Sequence, residues 1–272
     1  GKSTLMSILY GLYEPQEGEI FFQGEPVVIH SPRKAIDLGI GMVHQHFMLV
    51  PALTALENIV MGLPGHRGIF LDRFQATARI KELSSRYGLD VEPDVETWQM
   101  SVGVQQRVEI IKALYRDARL LILDEPTAVL TPQESTELFS VLRTLADQGH
   151  SVIFVTHKLE EVLEVCDRAT VLRDGKNIAT VRCTEVSAED LAEMMVGREV
   201  MLEIEKGVAR TGRIVLDVED LKVESDRGVP ALQGVSFHVR AGEIVGVAGV
   251  DGNGQLELVE TIAGLRPPAA GK

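Results

Sequence analysis

The sequence predicts an α/β fold in which a parallel sheet carries a phosphate-binding loop, and three stretches support that prediction. Gly1-Lys2-Ser3-Thr4 matches the second half of the pattern G-x-x-x-x-G-K-[ST]. In that pattern backbone amides cradle phosphates, the Lys reaches the β- and γ-oxygens, and the hydroxyl ligates Mg²⁺. Two continuous apolar runs, Leu120–Leu123 and Val152–Val155, read as strands buried on both faces, as in parallel sheets. The first run delivers Asp124 and Glu125 at its C-terminal end, the edge where open α/β sheets bind ligands.

The remaining elements follow in order. Leu5 to Tyr10 is apolar and helix-compatible, which sets the phosphate loop on a helix N-terminus. Gly18 to Pro26 reads as a small β-hairpin punctuated by glycine and proline. Residues 72–88 place Phe74, Ala78, Ile80, Leu83 and Tyr87 at helical spacing and stop at Gly88. Asp174-Gly175, between Thr170-Val171-Leu172 and Asn177–Thr180, signals a hairpin. Ser187-Ala188-Glu189-Asp190 is a capping box that opens a short helix ending near Gly197. Residues 198–213 carry mixed charge and read as a linker.

Composition narrows the class. A 45% hydrophobic content over 272 residues is enough for a sizeable core, and the net charge of −13 argues against a nucleic-acid binder, which would show a basic stripe. The two cysteines, Cys166 and Cys183, form no CxxC and no disulfide framework, as expected of a reducing compartment. No apolar run approaches the roughly 18–20 residues that span a bilayer. The sequence starts inside the phosphate-loop motif and without Met, so the expectation is a fragment, inactive as an ATPase by itself.

A repeat organises the chain. Gly249-Val250-Asp251-Gly252-Asn253-Gly254 carries the glycines of a second phosphate loop, after an apolar strand expected at Ile244–Ala248. With Gly254 set on Gly1, Leu258 falls on Leu5, Gly264 on Gly11, Leu265 on Leu12, Pro268 on Pro15 and Gly271 on Gly18. The reading is a tandem duplication: a first domain over 1–197, the linker, and the start of a second domain over 214–272. It also implies about 40 further residues ahead of Gly1, equivalent to Ile214–Asn253. The second copy has Gln255 and Leu256 where the first has Lys2 and Ser3. A neutral amide and an alkyl chain cannot replace a cation and a Mg²⁺ ligand, so phosphoryl transfer is expected only at the first. The glycines Gly249, Gly252 and Gly254 would still suit a bound nucleotide.

At the first copy, Asp124 is placed to hold Mg²⁺ and Glu125 to polarise an attacking water. Together with four further motifs, these residues resemble the ATP-binding subunits of ABC transporters over the whole chain. Met42-Val43-His44-Gln45 looks like the Q-loop, and Met100-Ser101-Val102-Gly103-Val104-Gln105-Gln106-Arg107 like the signature motif. Glu125-Pro126-Thr127 looks like the end of Walker B, and Thr156-His157 like the H-loop. Val102 and Val104 replace the usual Gly and Gln, and Thr131 replaces the D-loop Asp. With the degenerate second loop, these departures are similar to the tandem ATPases of sugar and nucleoside importers, nearest the nucleoside branch.

The resemblance implies a phosphate-loop ABC ATPase fold with a helical subdomain and a small antiparallel β part. It implies ATP and Mg²⁺ as ligands. Glu125, His157 and Gln45 are its catalytic groups, and Ser3, Asp124 and Gln45 its Mg²⁺ ligands. Gly1, Lys2, Ser3 and Thr4 bind the nucleotide, while Ser101 and Gly103 face the second copy's loop. A signature in the second half would complete the competent site. The implied partners are transmembrane permeases and, through them, a substrate-binding lipoprotein, at the cytoplasmic face of the membrane. Phe47, Met48 and Leu49 would fill the permease groove. The alternative is a tandem ABC ATPase without a membrane partner. Ribosome-associated examples would keep both phosphate loops and a long basic linker, and DNA-repair examples would carry coiled-coil or zinc inserts; this sequence has none of these.

Overall fold

The computed structural model describes residues 1–45, 47–63, 72–197, 211–226, 228–249 and 252–272. The chain divides into two compact units, Gly1–Val200 and Met201–Lys272.

In the first unit, α1 (Lys2–Leu9) starts at Gly1 and buries Met6. The hairpin of β1 (Ile20–Phe22) and β2 (Glu25–Val27) turns at Gln23-Gly24, both at positive φ, as a two-residue turn matched to strand twist requires. Ser31 caps α2 (Pro32–Asp37), which leads into the fully buried β3 (Ile40–Val43). A capping box of Thr54 and Glu57 opens α3 (Ala55–Val60). Next come α4 (Arg73–Tyr87), closed by Gly88 in the left-handed region, and α5 (Val102–Tyr115), capped by Ser101. β4 (Leu120–Asp124) precedes α6 (Pro132–Asp147), whose own capping box joins Thr131 to Glu134. β5 (Ser151–Val155) and α7 (Leu159–Val165) follow. The hairpin of β6 (Arg168–Arg173) and β7 (Lys176–Arg182) turns at Asp174-Gly175, and α8 (Ala188–Val196) runs from a Ser187–Asp190 capping box to Gly197.

β3, β4 and β5 form a parallel sheet with β4 in the middle. Alternation along β4 sends its side chains to opposite faces. Leu121 and Leu123 join a cluster with Leu56, Ile59, Ile80 and Ile111 on one face, while Ile122 joins Met6, Ala35 and Met42 on the other. Each such buried side chain contributes about 1.5–3 kcal/mol. This two-sided burial is why β4 reads as an unbroken apolar run.

Two expectations need correction. In α4 the buried stripe is Ala76, Ile80, Leu83 and Tyr87, whereas Phe74 and Ala78 are exposed. The stripe follows steps of four and three residues, and Phe74 and Ala78 fall off it. In the second unit, β8 (Ile214–Glu224) and β9 (Pro230–Arg240) pair antiparallel, and α9 (Gln255–Ile262) packs Leu258 against Val218, Leu221, Val223 and Leu232. The strand expected at Ile244–Ala248 does not form: no strand among the described residues pairs with it, and Ile244 is 99% exposed. An apolar run suited to burial on both faces becomes a strand only between neighbours. Most of the linker expected at 198–213 lies outside the described residues, as do Val250 and Asp251 of the second loop.

Candidate functional site

The register of the parallel sheet builds the site. Asp124 lies beside Val155 at the C-terminal ends of β4 and β5, so the residues that follow each strand emerge side by side. Glu125 donates its backbone N–H to the Val155 carbonyl (2.8 Å), and its carboxylate lies 3.1 Å from Nδ1 of His157. Lys2 Nζ reaches the Thr156 carbonyl at 2.9 Å. Lys2, Asp124, Glu125 and His157, expected together from motifs at the start, middle and second half of the first unit, therefore meet at one sheet edge. Ser3 and Thr4 sit exposed in the first turn of α1, whose leading amides have no partner within the helix.

Two features mark this edge as strained and charged. Glu125 adopts φ 48°, the left-handed region that a non-glycine residue occupies only when its surroundings impose it. Asp124 is buried, and its Oδ1 has no hydrogen-bond partner. A buried carboxylate oxygen without a donor is costly, and a cation is the natural complement.

Gln45 is exposed two residues beyond β3. Beside it, the His44 and Tyr10 rings form a T-shaped pair with centroids 5.8 Å apart, and burial lowers the His44 pKa. His46 lies outside the described residues. Of the apolar stretch that follows, Met48 is 65% exposed and Phe47 half-buried, but Leu49 packs against the main core. Leu49 is thus partly occupied by the core. The segment is pinned from beneath: Met48 N–H donates to the buried Glu109, and Val50 N–H donates to the buried Asn58, whose amide donates back to the Val50, Leu53 and Thr54 carbonyls.

In the signature segment, Ser101 is exposed and caps α5 by accepting from Val104 N–H (3.4 Å). Gly103 is buried, and a Cβ there would lie 2.6 Å from a Glu134 carboxylate oxygen. The missing side chain leaves room for the Glu134 carboxylate, so Gly103 has only backbone to offer a nucleotide. Just upstream, Trp98 is 59% exposed and donates to Glu96 at 2.6 Å.

In the second unit Gly252 and Gly254 hold φ 83° and 93°, and a Cβ on Gly254 would lie 2.7 Å from the Ala231 carbonyl. A side chain on Gly249 would collide with the Gln255 amide. Backbone bonds repeat across the proposed duplication. Leu5 to Gly1, Tyr10 to Met6, Gly11 to Ile8 and Leu12 to Ser7 recur as Leu258 to Gly254, Ala263 to Val259, Gly264 to Thr261 and Leu265 to Glu260, each within 0.2 Å of its counterpart.

Motif reading gave no role to three residues that hold this edge: Gln106 of the signature segment, which donates to the Pro126 carbonyl (2.9 Å), and Thr127 and Glu161, bonded to each other at 2.7 Å. Their contacts join segments 20 and 34 residues apart, and no local pattern announces them.

Residues 1–128 match the ABC transporter family. The nucleoside import ATP-binding protein NupA of Lactococcus lactis is 56% identical over 97% of this chain and 52% of its own length. The glucose import ATP-binding protein TsgD13 of Haloferax volcanii is 51% identical over 100% of this chain and 54% of its own. The chain thus spans about half the length of the curated relatives it matches. Among solved structures, cbiO1 of Clostridium perfringens, part of the ABC transporter complex cbiONQ, superposes with a TM-score of 0.59 at 29% identity. That match covers 72% of this chain and 78% of cbiO1.

Proposed function

Through residues 1–128 the chain belongs to the ABC transporter family of ATP-binding domains, and on that premise we propose that it hydrolyses ATP to drive import of nucleosides or simple sugars. The observation that carries this reading is the convergence of Lys2, Glu125 and His157 beside Asp124, whose buried Oδ1 has no hydrogen-bond partner.

The chemistry follows from those positions. The first-turn amides of α1 and the Lys2 ammonium receive the phosphate oxygens of ATP. Glu125 orients the attacking water and accepts its proton. His157, bonded through Nδ1 to Glu125, keeps Nε2 for the terminal phosphate. Asp124 and the Ser3 hydroxyl would hold Mg²⁺, with Gln45 closing the site. When bound, that ion neutralises charge on the β- and γ-oxygens. The described residues contain no group of three His, Cys, Asp or Glu able to hold a metal by themselves. That agrees with Mg²⁺ being shared between one or two protein ligands and the nucleotide phosphates. A second ATP-binding half, for which the greater length of the relatives leaves room, would supply the opposing signature.

The rigid, partly apolar segment around Met48 supports docking to a permease, and through it to a substrate-binding lipoprotein. On this reading the protein works at the cytoplasmic face of the membrane. Among the described residues no helix is long and apolar enough to cross one, so attachment would come through the permease. The net charge of −13 supports a role without nucleic acid.

Two experiments test the reading on the full-length protein. Purified protein should hydrolyse Mg-ATP, and loss of its gene should abolish uptake of a labelled nucleoside or sugar; wild-type uptake of both classes after deletion would refute import. Met48→Asp should weaken pull-down of the permeases while leaving nucleotide binding within about twofold. Loss of nucleotide binding and solubility without a partner defect would make Met48 a core residue and refute the docking assignment.

A further inference from the structure

The two groups proposed to act on water and phosphate, Glu125 and His157, do not hold themselves in place. Glu125 sits at φ 48° at the start of a turn, and His157 is largely exposed beyond the end of β5. What joins their supports is Glu161, whose side chain is 11% exposed.

One Glu161 oxygen, Oε2, accepts from two hydroxyls, Thr127 at 2.7 Å and Thr156 at 3.0 Å. Thr127 lies two residues after Glu125, and Thr156 immediately precedes His157. The other oxygen, Oε1, pairs with Lys158 Nζ at 2.9 Å. That ammonium also donates to the Thr127 carbonyl (3.2 Å), while Lys158 N–H donates to the Thr156 hydroxyl (3.1 Å). The network closes on itself across the two strand ends. Glu161 is one of the few buried charged residues among those described, and burial of a carboxylate is tolerated only with such complete pairing. Gln106 braces the same turn from α5 through the Pro126 carbonyl.

We propose that Glu161 is a positioning residue for hydrolysis: by bonding Thr127 and Thr156 with one oxygen, it sets the separation of Glu125 and His157. The proposal rests on the functional reading above and adds to it a residue that acts through Thr127 and Thr156. Misplacement by a fraction of an ångström at reacting groups slows turnover without weakening substrate binding. A network that only stabilised the fold would affect binding and turnover together.

The test uses the full-length protein with Glu161→Gln, Thr127→Val and Thr127→Ser. Valine keeps the shape of threonine and removes its hydroxyl, while serine keeps the hydroxyl. Glu161→Gln and Thr127→Val should lower kcat for Mg-ATP by about tenfold or more with KM within about twofold, and Thr127→Ser should recover most of the loss. The ¹⁵N shifts of the His157 ring should move in the first two variants and stay near wild type in the third. Those shifts report on positioning even in a protein that does not turn over, so failure of the hydrolysis reading remains separable. Unchanged kcat and unchanged His157 shifts in Glu161→Gln and Thr127→Val would overturn the proposal. So would losses in kcat matched by equal rises in KM and not restored by serine.

Discussion

The loop and helix at Gly1–Gly11 and those at Gly254–Gly264 follow one backbone path with two different sets of side chains. Both helices are eight residues long, both begin on a glycine cap, and both are followed, one residue past the C-cap, by a glycine near φ 75°. In the first, Lys2 lies against the strand end that leads to His157. In the second, Gln255 takes the Lys2 position and lies over Gly249, and Leu256 is 65% exposed where the first copy has Ser3. Glycine placement and helix geometry make a phosphate cradle; one cation and one hydroxyl decide whether it can support transfer. On the proposed duplication, the second loop would keep such a cradle without the side chains for transfer, because its backbone needs none of them.

Breaking the comparison should show first in turnover. Glu125→Gln in the full-length protein should lower kcat about 10²–10⁴-fold with nucleotide binding retained, while Gln255→Ala stays within about twofold in a steady-state ATPase assay. Equal losses from both would end the asymmetry between the copies. The next effect is on stability. Gly11 and Gly264 share φ 76° and 75°, but a Cβ on Gly11 would lie 2.5 Å from the Ser31 backbone, whereas Gly264 faces open space. Gly264→Ala should therefore cost only the left-handed strain, about 1 kcal/mol, and Gly11→Ala about 3 kcal/mol in urea unfolding. Matching costs would mean that Ser31 moves aside freely. The smallest effect concerns the metal: Ser3→Ala should raise the Mg²⁺ concentration for half-maximal hydrolysis about tenfold, and Leu256→Ala should leave it unchanged.

Much of the site was legible because it obeys local rules. The LLILDE run shows both a buried strand and the carboxylates at its end, and two-residue turns with glycine mark both hairpins of the first unit. What stayed hidden depends on neighbours. Ile244–Ala248 has the composition of a strand, but pairing is a property of the partner as much as of the segment. Leu49 and Met48 are adjacent apolar residues on one loop, and only the tether from Glu109 shows which one faces the core. Gly103 sits in a motif associated with nucleotide, yet its lack of a side chain is used by Glu134. Glu161 is one of two adjacent glutamates in the first turn of α7, and nothing in that pair tells which will be buried between two threonines.

Trp98 is the single tryptophan of the chain, more than half exposed and three residues ahead of the Ser101 cap. All indole emission from these 272 residues therefore originates at one point on the rim of the signature segment. Its ring is now in contact with water along much of its surface, so covering it would shift the emission to shorter wavelength without any label. Within these 272 residues Trp98 is thus a built-in optical gauge of whether something has closed over that rim, readable in real time as nucleotide is added.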